Sequence, residues 1–334
     1  MWLGSNRGYS TSQAALADWA ARSTAPGVVQ AIRFNNSANV TNWTHPDENT
    51  DLVTWNQTDG IIGDGCMQIN QPTTLNGNGG QWRIPLNASW TSGGGQSQGF
   101  GTGVDWYVQF RCKFGPNRLQ PSINGGGNKT CIIGGYTFAS PSSSHSDIDC
   151  EFVITNPSWQ SYPFFYHHAD GQIVDQGSIW QPDAPPPYDT YGHVIQTAVD
   201  HGASFTDPAQ RYSLYEDETT PRSPGVVLYS EGVWYTHYFH FNIALYEDTV
   251  TNPSNTAQMW FTPYGTTTYQ PLFTCTGFAQ ASGSDPGQSD DAPNGPQALW
   301  LLPYDTNRSG SVYNTYQSYD QVIVSTQPIA CPLV

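Results

Sequence analysis

The segment Val104-Asp-Trp-Tyr-Val-Gln-Phe-Arg-Cys-Lys-Phe114 shows the clearest structural pattern in the chain. Bulky apolar and polar side chains alternate along it. This is the pattern of a β-strand with one face in a core and the other face outside it. Similar runs follow, separated by loops rich in glycine, proline and asparagine. The sequence therefore predicts an all-β fold in which two antiparallel sheets pack as a sandwich.

Other strand-like runs extend this pattern over the chain, and one segment near the start predicts a short N-terminal helix. The helix pattern runs from Ser12 to Arg22, is filled with alanine, begins at a residue that can cap it and ends before Pro26-Gly27. The predicted strands cover residues 28–34, 60–70, 81–86, 104–114, 129–137, 148–155, 164–168, 234–246, 258–262, 298–303 and 319–325.

Composition excludes several classes of protein. Charged residues make up 11% of the 334 residues, against about 25% in an ordinary domain, and aromatic residues make up 13%. A helical bundle would contain more Ala, Leu, Glu and Lys, and a disordered chain would contain fewer aromatic residues. The chain is therefore expected to fold as one large β-domain with an accessory segment.

The charge balance bears on partners and location. The formal net charge of −16 would repel nucleic acid, so no nucleic-acid partner is expected. No apolar stretch approaches the ~20 residues that a membrane span needs, so no membrane partner is expected either. The N-terminal residues show no secretory signal pattern. We expect a virion or extracellular surface location, reached without a cleaved signal peptide.

A polar ladder along the 104–114 strand is the most informative local feature. Tyr107, Gln109, Arg111 and Lys113 share one face of this strand, and two of the chain's eleven basic residues are among them. One interpretation is a solvated outer face with cross-strand salt bridges. The other is the floor of a groove for sugars or uronates, because an arginine can hold a carboxylate with two hydrogen bonds.

Two further clusters carry residues suited to sugar binding or proton transfer. In the run 164–168, Tyr166 lies on the face opposite His167, and Asn156 precedes this run. A tyrosine and a histidine on adjacent strands could act as acid and base, but a packed aromatic strand is the other interpretation. The third cluster places Tyr238, His240 and Asn242 on one strand face.

Neither the cysteines nor the histidines predict a metal site. The six cysteines show no CxxC or Cys/His zinc spacing, and the histidines have no ligand spacing. Buried free thiols and one or two disulfides both remain open as interpretations. No cofactor motif occurs, so no metal and no cofactor are expected.

Several strands resemble those of the concanavalin-A-like jelly-roll proteins. This group includes lectin, glucanase and polysaccharide-lyase folds as well as uncharacterised phage and environmental members. The resemblance covers residues 100–330 and implies a jelly-roll sandwich. It is carried by Trp106–Phe114, Asp149–Ile154, Phe165-Tyr-His167, Leu299–Tyr304 and Tyr319–Ser325.

The resemblance also implies candidate roles. Lyases of this fold use a Tyr/His pair with Arg and Asn or Gln. Tyr166, His167 and Arg111 would then be the catalytic residues of a lyase, with Gln109 and Asn156 beside them. The Glu-x-Asp-x-x-Glu signature of jelly-roll glucanases is absent, because the carboxylates of Asp147-Ile-Asp149-Cys-Glu151 are spaced differently. Retaining hydrolysis is therefore disfavoured.

These observations divide the chain into two regions and leave two functions open. Residues 1–100 are predicted to be an N-terminal extension with a short helix and irregular strands that serves assembly, and residues 101–334 the jelly-roll domain. The first function is a non-catalytic structural or glycan-binding protein, such as a phage virion decoration or tail component. Its partners would be carbohydrate, other copies or virion proteins in an assembly. The alternative is a polysaccharide lyase that cleaves uronate-containing glycans by β-elimination. The predicted glycan-binding residues are Tyr107, Gln109, Arg111, Lys113, Asn156, Tyr238, His240 and Asn242.

Overall fold

The computed structural model confirms an all-β architecture with one longer helix. Helix α1 (Ser12–Ser23) has the predicted position, and a single turn, α2 (Ala38–Thr41), and a 3-10 turn (Thr50–Leu52) complete the helical part. No helix among these is long and apolar enough to cross a membrane. The structure describes residues 12–42, 49–73, 77–78, 80–85, 104–119, 128–134, 151–155, 164–168, 204–205, 229–242, 256–276, 298–305 and 314–333.

Fifteen strands occur in the described residues. They are β1 (Val28–Ile32), β2 (Val53–Asn56), β3 (Cys66–Gln71), β4 (Gly77–Asn78), β5 (Trp82–Pro85), β6 (Asp105–Phe114), β7 (Asn128–Gly134), β8 (Glu151–Thr155), β9 (Phe164–His168), β10 (Ser204–Phe205), β11 (Trp234–Asn242), β12 (Thr256–Pro263), β13 (Gln270–Thr276), β14 (Ala298–Asp305) and β15 (Thr315–Ser325).

The strands form two antiparallel sheets. The larger sheet has nine strands in the order β10-β13-β12-β11-β6-β15-β3-β2, and β1 also pairs with β15. The smaller sheet has six strands in the order β4-β14-β7-β8-β9, and β5 also pairs with β14. Every recorded pairing between these strands is antiparallel. The predicted jelly-roll sandwich is thereby confirmed.

The core lies between the two sheets. Along β6, Trp106, Val108 and Phe110 are buried as the alternation predicted, and they pack in one cluster with Leu299 and Leu301 of the smaller sheet. Aromatic stacking reinforces the cluster, since the rings of Trp106 and Phe241 lie 4.5 Å apart and nearly parallel. The side chains of Phe152 and Ile154, also predicted for this core, lie outside the described residues.

The strands that the structure describes before residue 100 belong to both sheets, which differs from the predicted boundary between an extension and a jelly roll. Strand β1 pairs with β15, and β2 and β3 follow it into the larger sheet. Strands β4 and β5 both pair with β14 of the smaller sheet. The loose composition of residues 1–100 suggested a separate unit. Strand pairing depends on distant partners, however, and composition does not show these partners.

Candidate functional site

The candidate site lies on the polar side of the larger sheet, which faces away from the core. The pairing of β6 with β11 places Tyr107 opposite His240 and Gln109 opposite Tyr238. Because paired residues in an antiparallel sheet point to the same side, these four side chains share one face. We call this surface the polar face; it comprises Asp105, Tyr107, Gln109, Arg111, Lys113, Trp234, Thr236, Tyr238, His240, Asn242, Gln258, Trp260, Thr262, Ser318 and Asp320.

Helix α1 covers the middle of the polar face through a buried arginine. The guanidinium group of Arg22 donates to the side-chain oxygens of Gln109 and of Gln321, the latter at 2.7 Å. It also forms an ion pair with Asp18, one helical turn earlier, at 2.8 Å. The whole group is buried. A charge at this depth is stabilised only because acceptors surround it.

The C-terminal segment covers the same part of the face. The side chain of Gln109 donates to the carbonyl of Ala330 at 3.0 Å and also to the hydroxyl of Tyr269. The backbone N–H of Leu333 donates to the Asp18 carboxylate at 3.0 Å. Segment 329–333 and helix α1 are therefore joined to each other above the sheet.

A second buried pair of charges lies directly beneath this cover. Arg111 is 2% exposed and Asp320, its partner in the strand register, is fully buried. Burial and, after it, the nearby Arg22 lower the pKa of Arg111 to about 10. Burial raises the pKa of Asp320 to about 6, although the backbone N–H groups of Ile61 and Gln321 donate to its carboxylate.

A tight turn closes the far end of the polar face. Lys113 forms an ion pair with Asp59, and its ammonium group lies 4.9 Å from the ring centre of Trp234. The turn that follows brings Gly60 so close to Gly65 that a Cβ at Gly60 would lie 1.9 Å from the Gly65 carbonyl oxygen. Only glycine fits there.

The other end of the polar face remains accessible. Nε2 of His240 lies 2.8 Å from the Asp105 carboxylate and Nδ1 lies 2.7 Å from the side-chain oxygen of Gln258, so the ring is hydrogen-bonded between these two side chains. Asn242 donates to the same Asp105 oxygen at 3.0 Å. The hydrogen bond from His240 is the main reason why the pKa of Asp105 is lowered. The side chain of Asp105 is 53% exposed.

Aromatic rings form the floor beside this end. Tyr107 stacks on His240, with ring centres 4.5 Å apart, and more loosely on Tyr238 at 6.1 Å. Tyr238 stacks in turn on Tyr269 at 4.5 Å and contacts Trp260 at 5.1 Å. Tyr107 and Trp260 are only partly buried. We call this accessible region the open end; it comprises Asp105, Tyr107, His240, Asn242, Gln258 and Trp260.

The structure brings together most of the predicted glycan-binding residues, but in different environments. Tyr107, His240 and Asn242 lie at the open end, and Tyr238 is buried beside them. Three others are buried beneath the chain's own segments and form neither a solvated outer face nor an open groove floor: Gln109, Arg111 and Lys113. Asn156 lies outside the described residues.

The predicted lyase residues are not brought together on one sheet. Tyr166 and His167 lie on β9 of the smaller sheet, where their backbones pair with Val153 and Phe152. Arg111 lies on β6, in the middle of the larger sheet. The side chains of Tyr166 and His167 lie outside the described residues.

Sequence reasoning missed Asp105, Gln258 and Trp260 as members of the site. Asp105 belongs to the same alternating set as Tyr107 and could have been included on that basis. Gln258 and Trp260 follow the same two-residue period on β12. What the sequence did not show is that β12 pairs with β11 and thereby places these residues beside His240.

Within the described residues, neither a metal centre nor a disulfide accompanies the site. No group of three His, Cys, Asp or Glu side chains there is placed to hold a metal ion. Cys66, Cys112, Cys131 and Cys331 are free thiols. His237 lies on the core side of β11, where burial lowers its pKa to about 3, and Nε2 contacts the hydroxyl of Tyr229 at 2.6 Å.

Comparison with known proteins gives matches in fold alone. No family model matches the chain, and no curated protein matches it. A marine PL-14 alginate lyase from Aplysia kurodai matches with a TM-score of 0.50 and 8% identity, over 90% of this chain and 99% of that chain. The alginate lyase Aly36B matches with a TM-score of 0.44 and 11% identity, over 91% and 93% of the two chains. An endo-1,3-beta-glucanase from Streptomyces sioyaensis matches with a TM-score of 0.39 and 13% identity, over 83% and 80%.

The first of these matches is a likeness in fold over nearly the whole of both chains. The chain has the concanavalin-A-like jelly-roll fold. A shared fold at this identity carries no activity with it, so the function has to be argued from the polar face.

Proposed function

We propose that the chain is a non-catalytic jelly-roll protein that binds a glycan at the open end of the polar face. The observation that carries the proposal is the row of stacked, partly exposed rings beside a hydrogen-bonded polar group. Tyr107 and Trp260 offer apolar ring surface, and His240, Asn242 and Gln258 offer donors and acceptors. Sugar rings present both kinds of surface, with apolar C–H groups and hydroxyls.

The charges of the face support a binding role over uronate cleavage. Both cations of the face are buried. Arg111 lies beside Asp320, and Lys113 forms an ion pair with Asp59. The exposed charge at the open end is the Asp105 carboxylate, which would repel a uronate. A neutral saccharide avoids this repulsion and suits a chain of net charge −16. The location on a virion or other extracellular surface stays a prediction.

The test is a glycan array followed by calorimetry on each glycan that binds. His240→Ala removes the ring that stacks on Tyr107 and the contacts that hold Asp105 and Gln258 in place, and we expect it to weaken binding by about tenfold or more, which corresponds to roughly one hydrogen bond to the glycan. The matched control is Thr267→Ala, an exposed threonine in the turn after β12. It should bind like the wild type. Wild-type protein that binds no glycan, or equal binding by both variants, would contradict the proposal.

One observation favours a second candidate, a polysaccharide lyase. Tyr107 and His240 lie on adjacent strands with their rings 4.5 Å apart, so a tyrosine and a histidine do meet on the accessible part of the face. Such a pair could remove and return a proton during β-elimination. Burial and the Asp105 carboxylate raise the pKa of Tyr107, which favours its protonated form.

An ultraviolet assay separates the two candidates. Elimination creates an unsaturated sugar that absorbs, whereas binding alone leaves the spectrum unchanged. A lyase would lose this absorbance in Tyr107→Phe while it still binds the polymer. A flat trace for wild-type protein on several uronate polymers would leave glycan binding as the function.

A further inference from the structure

The cover over the polar face is attached through a few side chains, both charged and apolar. Helix α1 buries Ala15, Asp18 and Arg22, and its partly buried Trp19 packs against two apolar clusters, the second of which contains Ile329 of the C-terminal segment. An isolated helix of about 12 residues is marginal in water, so α1 depends on these contacts. Elements that are held by few apolar contacts open at a lower free energy than the core does.

The backbone beneath the cover is strained. Gln321 has a φ of +52°, in the left-handed region that residues other than glycine rarely adopt. It lies where the register between β15 and β6 shifts, between Asp320 and Ile323. Together with the buried charges of Arg111 and Asp320, this bulge costs stability that an apolar strand would not lose. Such features are typical of ligand-binding and switching regions.

We propose that helix α1 and segment 329–333 form a latch that opens as one unit while both sheets stay folded. The surface that the latch releases would extend the glycan-binding site from Tyr107 to Gln109 and Arg111. This extension rests on the proposed function, but the opening itself does not. The bond between Asp18 and the Leu333 backbone joins the two parts of the latch.

The groups under the latch define the class of ligand that would replace it. Arg22 occupies the side-chain oxygens of Gln109 and Gln321, and Gln109 also donates to Tyr269 and to the Ala330 carbonyl. Amides and a phenol can each donate and accept, as saccharide hydroxyls do. The occupant is therefore a saccharide long enough to reach beyond the open end.

Native thiol labelling tests the opening directly. Cys66 is buried in a cluster with Ala15 of the latch and Trp234 of the polar face, whereas Cys112 and Cys131 are buried between the sheets. We expect N-ethylmaleimide to modify Cys66 about tenfold faster than Cys112, because local opening of the latch exposes Cys66 and not Cys112. Low concentrations of denaturant should leave the labelling rate of Cys66 unchanged, because local opening exposes little new surface. Mass spectrometry identifies each labelled cysteine.

A pair of helix variants gives the matched comparison. Arg22→Gln removes the ion pair with Asp18, and we expect labelling of Cys66 to accelerate by about tenfold, as for the loss of one charge-assisted hydrogen bond. Labelling of Cys112 should not change, which also shows that the variant is folded. Ala21→Gln changes the exposed neighbouring position and should behave like the wild type.

One result would overturn the opening of the latch, and another would overturn the extension of the glycan-binding site. Equal labelling rates for Cys66 and Cys112, with the same denaturant dependence, would show that Cys66 is exposed only by global unfolding, whatever the protein binds. A long saccharide that binds the open end but leaves the labelling rate of Cys66 unchanged would confine the site to that end. We expect such a saccharide to raise this rate, and a short one not to.

Discussion

Arg111 combines two properties that rarely occur together on the outside of a sheet. Its guanidinium group is 2% exposed, and the charges around it include Asp320, Asp18 and the like-charged Arg22. A buried charge of this kind contributes little net stability while it is paired. It leaves a large penalty behind when one partner is removed.

Replacing Arg111 should therefore cost more than replacing an arginine at the surface. We expect Arg111→Met to lower the free energy of unfolding by about 3–5 kcal/mol, because the Asp320 carboxylate stays buried without its partner. The control is Arg33→Met, which breaks a more exposed pair with Asp64 and should cost about 0–1 kcal/mol. Urea unfolding of both variants measures the difference. Equal losses would contradict the burial of Arg111.

Two buried groups should give opposing dependences of stability on pH. The pKa of Asp320 is raised from 3.8 to about 6, so the folded state binds its proton more tightly and stability falls as pH rises through this window. The pKa of His237 is lowered from 6.5 to about 3, so the unfolded state binds its proton more tightly and stability rises with pH through that window. Between pH 4 and 6 the two contributions nearly cancel.

Single substitutions should reveal each contribution. Between pH 4 and pH 6, the free energy of unfolding of Asp320→Asn should rise by about 3 kcal/mol relative to that of the wild type. The reason is that the variant lacks the carboxyl group whose contribution to stability falls over this range. His237→Leu should change in the opposite direction and lose a similar amount over the same range. Chemical unfolding at intervals of pH follows both variants. Parallel curves for variant and wild type would show that the group titrates normally.

For the helices and strands, the sequence showed the local pattern of each element but not which other elements pack against it. Alternation along β6 correctly separated the core residues from the polar face, because the two-residue period is a property of any strand. The cover over that face comes from α1 and from segment 329–333, which are far from β6 along the chain. Contacts of this range leave no period in the sequence, so the burial of Arg111 could not be predicted.

The turn between β2 and β3 gives a prediction at this scale. A Cβ at Gly60 would lie 1.9 Å from a backbone oxygen, whereas a Cβ at Gly63 would meet nothing within 4 Å. We expect Gly60→Ala to displace the turn that donates to Asp320 and to cost about 3 kcal/mol or more. Gly63→Ala should cost only about 1–2 kcal/mol, from its φ of +83°. A smaller loss at Gly60 than at Gly63 in thermal unfolding would contradict this geometry.

At the scale of the whole molecule, composition and strand pattern were sufficient to predict the fold class. Many aromatic residues, few charges and repeated strand-like runs leave little besides a β-sandwich. The division at residue 100 could not be predicted correctly, because β1 and β3 reach β15, at the other end of the chain, to complete the larger sheet. Pairing over such sequence distances depends on the whole topology and not on local composition.

Helix α1 and segment 329–333 close the middle of the polar face, and the open end, which we propose binds a glycan, stays accessible. Hydroxyl-radical footprinting with mass spectrometry measures side-chain exposure in the free and the glycan-bound protein. We predict that Tyr107 and Trp260 are oxidised in the free protein, that buried Trp234 is not, and that a short glycan protects Tyr107 and Trp260. Oxidation of Trp234 as fast as of Trp260, or glycan protection that leaves Tyr107 and Trp260 unchanged, would contradict this prediction.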